Sequence, residues 1–165
     1  MASETKINVL FVCLGNICRS PLAEGLFLHK IKALGLEKSF EVDSAGTGNY
    51  HIGSKPDPRT ALSAEKHGIF LPSRARQLNR NDFYDFDFIL AMDKSNFMNI
   101  LAKEPAAPAS KASVLLMRDF DNLEKGLDVP DPYYGGEDGF ELVYQILNRS
   151  TDAFLQFLLT EQKPC

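Results

Sequence analysis

The stretch Val12-Cys13-Leu14-Gly15-Asn16-Ile17-Cys18-Arg19-Ser20-Pro21 links an apolar segment to a helical pattern. The β-branched and aromatic residues before it predict a strand that ends at Cys13. Ser20-Pro21 is typical of a helix start, with Ser20 as N-cap and Pro21 as the first helical residue. Gly15 and Asn16 tolerate unusual backbone angles, so the turn can point its main-chain N–H groups inward. Such a loop before a helix N-terminus predicts an anion site, with phosphate as its natural occupant.

Outward from this turn, strand and helix patterns alternate along the chain. Segments rich in β-branched and aromatic residues, mostly without regular alternation, predict strands buried on both faces. These predicted strands are residues 7–12, 40–43, 86–91 and 113–117. Apolar residues at three- and four-residue steps predict helices. These predicted helices are residues 22–34, which Gly35 ends, 58–67, which Asp57 caps, 94–103 and 140–159.

Strand and helix alternation of this kind calls for right-handed crossovers between parallel strands. We therefore expect a small doubly wound α/β fold, with a four-stranded parallel sheet, helices on both faces and one domain over residues 1–165. The irregular stretches 46–57 and 122–139 both follow predicted strands. They are expected at the carboxyl edge of the sheet, where folds of this class bind ligands.

Composition narrows the function classes. The chain has 165 residues and a formal net charge of −4, with 44% hydrophobic residues, which fits a globular protein with a real core. A mildly acidic protein lacks the global positive field of a nucleic-acid binder, so we expect no nucleic-acid partner. An anionic substrate must instead be held by a local set of donors.

Location and assembly are predicted from apolar runs and cysteines. No run approaches the roughly 18 apolar residues of a membrane span, so no membrane partner is expected. Residues 7–14 are apolar, but we do not expect a signal core there, because Glu4 and Asn8 break the positive-then-apolar pattern and Val12 is not the small residue of a cleavage position. Cys13, Cys18 and Cys165 are an odd number without CxxC spacing, which favours a reducing compartment, the cytoplasm. The sequence leaves the oligomeric state open, with a monomer as the expectation.

A cysteine at the base of an anion loop has a specific chemical use. The donors that bind phosphate also stabilise a thiolate, which is the nucleophilic form of cysteine. Arg19 follows Cys13 by six positions and can present its planar fork to two phosphate oxygens. Cys13 and Arg19 therefore predict a covalent phosphoryl-transfer site. In isolation the C-x5-R pattern is more often a core cysteine beside a surface arginine, but the strand, glycine, asparagine and helix start around it favour the site.

The segment C-x-G-N-x-C-R-S-P resembles the signature loop of the low-molecular-weight protein tyrosine phosphatases. Further landmarks of that family occur in the expected order, and the resemblance spans nearly the whole chain. These landmarks are Asp43-Ser44-Ala45-Gly46-Thr47, Ala91-Met92-Asp93 with Asn96, and Asp131-Pro132-Tyr133-Tyr134. The resemblance implies a hydrolase of phosphotyrosine proteins or small aryl phosphates. It makes Cys13 the nucleophile that forms a phosphocysteine, Arg19 the phosphate ligand, and Asp131 the acid that protonates the leaving oxygen.

The resemblance also implies supporting roles around these three residues. The loop from Leu14 to Ser20 is expected to bind phosphate. Ser20 can cap the helix or donate to the Cys13 sulfur, and the resemblance favours the second role. Ser44 is expected to brace Asn16, and Cys18 to trap Cys13 as a disulfide under oxidation. Besides the loop, which includes Gly15 and Ile17, the expected substrate-binding residues are Tyr50, Tyr133 and Tyr134.

Departures from the family pattern are few. A histidine commonly supports the loop a few residues after the H-G-I segment, and this chain has Ser73 there. His29, His51 and His67 show no metal-ligand spacing, and we expect no metal and no cofactor.

Other functions fit the sequence less well. An arsenate reductase of this fold needs further cysteines, and none lies between Cys18 and Cys165. An arginine phosphatase typically carries a threonine where this chain has Ile17. A non-catalytic phosphopeptide-binding module would be expected to lose a catalytic residue, and a pure redox module would leave Arg19 and Asp131 without a role.

Overall fold

Four parallel strands form the centre of the molecule, in a computed structural model that describes residues 5–106, 110–133 and 136–161. The strands are β1 Ile7–Cys13, β2 Phe40–Gly46, β3 Phe88–Ala91 and β4 Ser113–Leu116. Their order in the sheet is β2-β1-β3-β4, so β1 is central and pairs with both β2 and β3. The predicted doubly wound four-stranded sheet is confirmed.

Helices cover both faces of this sheet. They are α1 Arg19–Ala33, α2 Pro58–Glu65, α3 Asp82–Asp85, α4 Lys94–Lys103 and α5 Glu137–Glu161. Short 3-10 helices lie at Glu37–Ser39 and Met117–Phe120. The four predicted helices are present, and α4 has the predicted bounds.

The central strand divides the core into two layers because its side chains alternate between the faces. Val9, Phe11 and Cys13 belong to the larger core cluster, which includes residues of α1 and α5. Leu10 and Val12 belong to the second cluster, together with residues of α3, β3 and α4. All five residues are nearly or fully buried, which explains why β1 shows no polar alternation.

Several element ends differ from the prediction. Strand β2 continues three residues beyond the predicted end, because it stays paired with β1 as far as Gly46 opposite Cys13. Strand β3 starts at Phe88, two residues later than predicted. Small residues at the end of β2 give little local strand signal, so this extension depends on pairing between strands.

The predicted start of the first helix is wrong. Helix α1 begins at Arg19, Cys18 is its N-cap, and Ser20 lies inside the first turn. Ser20 does not cap the helix, since its hydroxyl lies 3.0 Å from the Cys13 sulfur. The other end is as predicted: Gly35 has φ 70°, and the N–H of Leu36 donates to the Ile31 carbonyl in a Schellman motif.

A buried carboxylate ties the end of the sheet to α5. Asp121 is fully buried and accepts hydrogen bonds from Arg118 at 3.0 Å and from Arg149 at 2.8 and 3.0 Å. Burial alone raises the pKa of Asp121, but the Arg149 bonds, two main-chain N–H groups and Arg118 outweigh it, so the pKa is held well below its usual range. Arg118 also donates to the Asp128 carbonyl at 2.8 Å, which holds the start of the loop that carries Asp131.

In the described residues, no helix is long and apolar enough to cross a membrane.

We predict that Asp121→Asn lowers the free energy of unfolding by about 3–5 kcal/mol at pH 7, because it leaves two arginines without their buried partner. The contribution of Asp121 is fully present above its unfolded-state pKa and declines as pH falls from there towards the lower folded-state pKa. Urea unfolding at pH 7 and pH 3 measures the effect, which we expect to shrink at pH 3. Asp152→Asn is the control, since Asp152 is exposed and pairs with Lys30. Equally small losses of unfolding free energy in Asp121→Asn and Asp152→Asn would contradict the role of Asp121 as the buried partner of the two arginines.

Candidate active site

The Cys13 sulfur lies at the carboxyl end of the central strand and has two polar partners. The Ser20 hydroxyl is 3.0 Å from Sγ, and the Asn16 N–H donates to Sγ at 3.3 Å. Ser20 Oγ already accepts a hydrogen bond from the Asn16 side chain at 2.8 Å, which leaves its own hydrogen free for the sulfur or the Ala45 carbonyl. Both contacts favour a negatively charged sulfur.

Asn16 holds the loop in shape. It has φ 58°, a left-handed conformation that asparagine adopts more readily than most residues. Its Nδ2 donates to Ser20 Oγ at 2.8 Å and to Ser44 Oγ at 2.9 Å, and its Oδ1 accepts from the Arg76 N–H at 3.0 Å. The predicted contact between Asn16 and Ser44 is therefore present, and Arg76 is a partner that the sequence did not reveal.

The remaining N–H groups of the loop are available to a ligand. Within the described part of the chain, the main-chain N–H groups of Leu14, Gly15, Ile17 and Cys18 donate to no protein acceptor. Unpaired N–H groups are rare in buried positions, and a row of them before a helix N-terminus is a site for an anion. This is the arrangement that the sequence predicted for phosphate.

Arg19 supplies a fixed positive charge beside the sulfur. Its side chain is 3% exposed, and Nη1 donates to Asp93 Oδ2 at 2.6 Å and to the Val129 carbonyl at 2.9 Å. Nε makes no hydrogen bond to any described residue, and Nη2 lies 3.6 Å from Asp131 Oδ2. One edge of the guanidinium is anchored and the other is available for two oxygens of an anion.

Asp131 enters the site from the long loop after β4. Its side chain is 34% exposed, and Oδ1 accepts a hydrogen bond from the Tyr133 N–H at 3.0 Å. Val129 anchors this loop, because its carbonyl accepts a hydrogen bond from Arg19 and its N–H donates to the Met92 carbonyl. Asp131 thus keeps a carboxylate oxygen facing Arg19 while remaining open to solvent.

These residues surround a cavity of about 280 Å³. Its lining consists of Cys13, Leu14, Gly15, Ile17, Cys18, Arg19, Tyr50, His51, Asp131 and Tyr133. Nine of these ten were predicted site residues. Asn16, Ser20 and Ser44 do not line the cavity but lie behind it in the hydrogen-bond network, and Tyr134 lies outside the described residues.

Two residues of this region were not predicted. His51 lines the cavity, and its ring lies 6.1 Å from that of Tyr133. The sequence signal was its position directly after Tyr50. Glu24 is 5% exposed and lies behind the loop, where it accepts a hydrogen bond from Ser44 at 2.6 Å. A charged residue between the apolar helix positions 22, 23, 26 and 27 was the available signal.

The second cysteine of the loop has a different environment from the first. Cys18 is buried at the N-cap of α1, and burial raises the pKa of its thiol to about 12. Cys18 is therefore a neutral thiol at physiological pH and not a second nucleophile. Its disulfide with Cys13 stays a prediction, and Cys165 lies outside the described residues.

Known proteins resemble this chain in sequence and in fold. Residues 8–163 match the family model described as low molecular weight phosphotyrosine protein phosphatase. A protein of that description from Schizosaccharomyces pombe is 46% identical over 151 residues, which cover 91% of this chain and 96% of the relative. A crystal structure of a protein tyrosine phosphatase from Entamoeba histolytica has a TM-score of 0.88 at 38% identity, covering 96% of this chain and 100% of its own. A Drosophila arginine phosphatase has a TM-score of 0.85 at 32% identity, covering 93% and 98%.

Gly46 generates a test of the loop geometry. A Cβ added at Gly46 would lie 2.6 Å from the Leu14 carbonyl oxygen and 3.2 Å from the Asn16 nitrogen, so the loop would have to move. We predict that Gly46→Ala weakens the binding of inorganic phosphate by at least about tenfold, which is a difference of 1.4 kcal/mol. Isothermal titration calorimetry measures it. Gly139→Ala is the control, because a Cβ there meets only Pro132 at ordinary contact distance. Unchanged phosphate binding in Gly46→Ala would show that the loop is not the anion site.

Proposed function

Because the chain belongs to the low molecular weight phosphotyrosine protein phosphatase family, a family of hydrolases, we propose that it hydrolyses phosphotyrosine monoesters through a phosphocysteine on Cys13. The observation that carries this proposal is the convergence of three groups on one cavity. The Cys13 sulfur forms its base, the open edge of Arg19 lies at its side, and Asp131 faces Arg19 at 3.6 Å. No other arrangement in the described residues combines a nucleophile, an anion site and an acid.

In the first step the phosphoryl group moves from the tyrosyl oxygen to sulfur. Arg19 and the unpaired loop N–H groups hold the phosphoryl oxygens while Cys13 Sγ attacks phosphorus in line with the leaving oxygen. The P–O bond breaks, and Asp131 gives its proton to the phenolate oxygen. A positioned acid of this kind contributes roughly 10²–10⁴-fold.

In the second step water releases the phosphate. Asp131, now ionised, accepts a proton from a water molecule whose oxygen attacks phosphorus, and the P–S bond breaks. The electron pair returns to Cys13, where the hydrogen bonds from Ser20 and the Asn16 N–H stabilise the thiolate as a leaving group. The same two donors therefore assist both steps.

The cavity walls favour an aryl phosphate. Tyr50 and Tyr133 line the mouth, and Ile17 adds an apolar surface to a wall of the cavity. A planar aromatic ring can contact all three, whereas the short side chain of phosphoserine would leave its phosphate above the loop. The fold itself does not separate phosphotyrosine from phosphoarginine substrates, because the Drosophila arginine phosphatase has the same fold.

The sequence also bears on the cofactors, the location and the partners of the proposed enzyme. We propose that the reaction needs no metal and no cofactor, since Arg19 and the loop supply the positive charge. The natural substrates are then phosphotyrosine proteins or small aryl phosphates in the cytoplasm, and the enzyme acts as a monomer without nucleic-acid or membrane partners.

The mechanism predicts distinct effects for two substitutions. Cys13→Ser should abolish the hydrolysis of p-nitrophenyl phosphate in the presence of EDTA, because the nucleophile is lost. Asp131→Ala should lower kcat by about 10²–10⁴-fold and let phosphate accumulate on Cys13, which mass spectrometry of rapidly quenched enzyme would detect. Turnover that survives Cys13→Ser, or turnover that EDTA abolishes, would refute the mechanism.

Substrate class is tested by comparing phosphotyrosine, phosphoserine and phosphoarginine in one peptide sequence. We predict that kcat/KM is highest for phosphotyrosine by at least about tenfold, and that Ile17→Thr narrows the difference from phosphoarginine, because a hydroxyl suits a guanidinium better than an aryl ring. Ile17→Val is the matched control, since it keeps the apolar wall. A preference for phosphoarginine in the unaltered protein would assign it to the alternative activity.

A further inference from the structure

A chain of hydrogen bonds runs from the Cys13 sulfur to a buried carboxyl group that the mechanism does not use. Asn16 Nδ2 donates to Ser20 Oγ on one side and to Ser44 Oγ on the other, and Ser44 in turn donates to Glu24 Oε1 at 2.6 Å. Ser44 and Glu24 are 1% and 5% exposed. Solvent therefore has little access to these groups, and each one depends on its neighbours for partners.

Glu24 has no ion-pair partner among the described residues. Arg76, the cation that acts on Glu24, is itself bound by the carboxylates of Asp43 and Asp82, both at 3.0 Å. Helix α1 places Glu24 against β2, which carries Asp43 and Ser44, and against the segment that carries Ser73 and Arg76. The pKa of Glu24 is raised to about 7. Burial is the largest cause and Asp43 also raises the pKa, while the hydrogen bonds from Ser44 and Ser73 and the charge of Arg76 lower it.

The direction of the hydrogen bonds depends on the charge of Glu24. When Glu24 is ionised it accepts from Ser44, so that Ser44 Oγ keeps its lone pairs for Asn16. When Glu24 is protonated its own O–H needs an acceptor, and the Ser44 hydrogen is no longer drawn to a carboxylate. The charge-assisted bond is then replaced by a weaker neutral one. The weaker bond between Ser44 and Glu24 alters the acceptor of the Asn16 side chain, because Asn16 donates to the same Ser44 hydroxyl. Asn16 is the residue held at a positive φ beside the sulfur.

We propose that Glu24 is a positioning residue for the catalytic loop, which acts through Ser44 and Asn16 and holds Cys13 best when its carboxyl group is ionised. The proposal rests on the proposed function in one respect, which is that Cys13 is the nucleophile. It adds to the site a residue that lies one turn after Ser20 on the same face of helix α1. It also makes the reactivity of Cys13 depend on the charge of Glu24.

Alkylation of Cys13 by iodoacetamide tests the proposal without any phosphate ester. The rate constants of the unaltered protein and of Glu24→Gln are compared as a ratio at each pH. We expect this ratio to be near one at pH 5.5 and to rise to about three- to tenfold at pH 8.5, the effect of about one hydrogen bond. The midpoint should coincide with the Glu24 titration followed by ¹³C NMR. A ratio independent of pH, or a Glu24 titration below pH 5, would overturn the proposal.

Three further variants separate positioning from general destabilisation. Ser44→Ala breaks the chain, so the double variant with Glu24→Gln should react no more slowly than either single variant. Ser73→Ala removes a hydrogen bond from the ionised carboxyl and should move the midpoint to higher pH. Glu65→Gln removes an exposed glutamate from α2 and should change nothing. Additive effects of Glu24→Gln and Ser44→Ala would contradict the chain. Phosphatase turnover that survives Cys13→Ser would refute the proposed function and leave these alkylation results standing.

Discussion

The arrangement of the site depends on one interaction, the contact between the Asn16 side chain and the two hydroxyls on either side of it. Asn16 bridges Ser20 in helix α1 and Ser44 in strand β2, while its own N–H faces the Cys13 sulfur. The loop after β1 is thereby tied to both neighbouring elements. The unpaired N–H groups keep their direction because the loop cannot relax into a regular turn, and a ligand meets donors that are already in place.

The buried arginines near this loop and in the segment that leads to Asp131 are each paired with a carboxylate. Arg19 is anchored by Asp93 and Val129 on one edge and leaves the other edge to the cavity. Arg118 and Arg149 are neutralised by Asp121, and Arg118 also holds the chain that leads to Asp131. A protein with net charge −4 thus concentrates positive potential in one small space and has no need of a basic surface.

The sequence predicted those features that are encoded locally. The periodicity of α1 and α4, the apolar run of β1 and the loop from Cys13 to Arg19 were sufficient for the fold class and for most of the cavity lining. The misplaced helix start has a different origin, because Ser20 is a good N-cap by local rules and is drawn to the sulfur by the folded loop. The Arg76 contact was equally hidden, since it needs residues 75–78 to run beside the end of β2. Glu24 and His51 belong to the site only through tertiary packing.

Ionised Glu24, the form that we propose to hold Cys13 best, lowers the stability of the folded protein. The folded-state pKa of Glu24, about 7, lies above the ordinary value of 4.5, so the folded protein binds the proton more tightly than the unfolded chain. Stability therefore falls as pH rises from 4.5 to 7, by at most about 3 kcal/mol for a shift of this size. Asn16 at φ 58° adds backbone strain in the same place. The large core on the α1 and α5 face can offset both costs, because burial of its apolar side chains stabilises the fold.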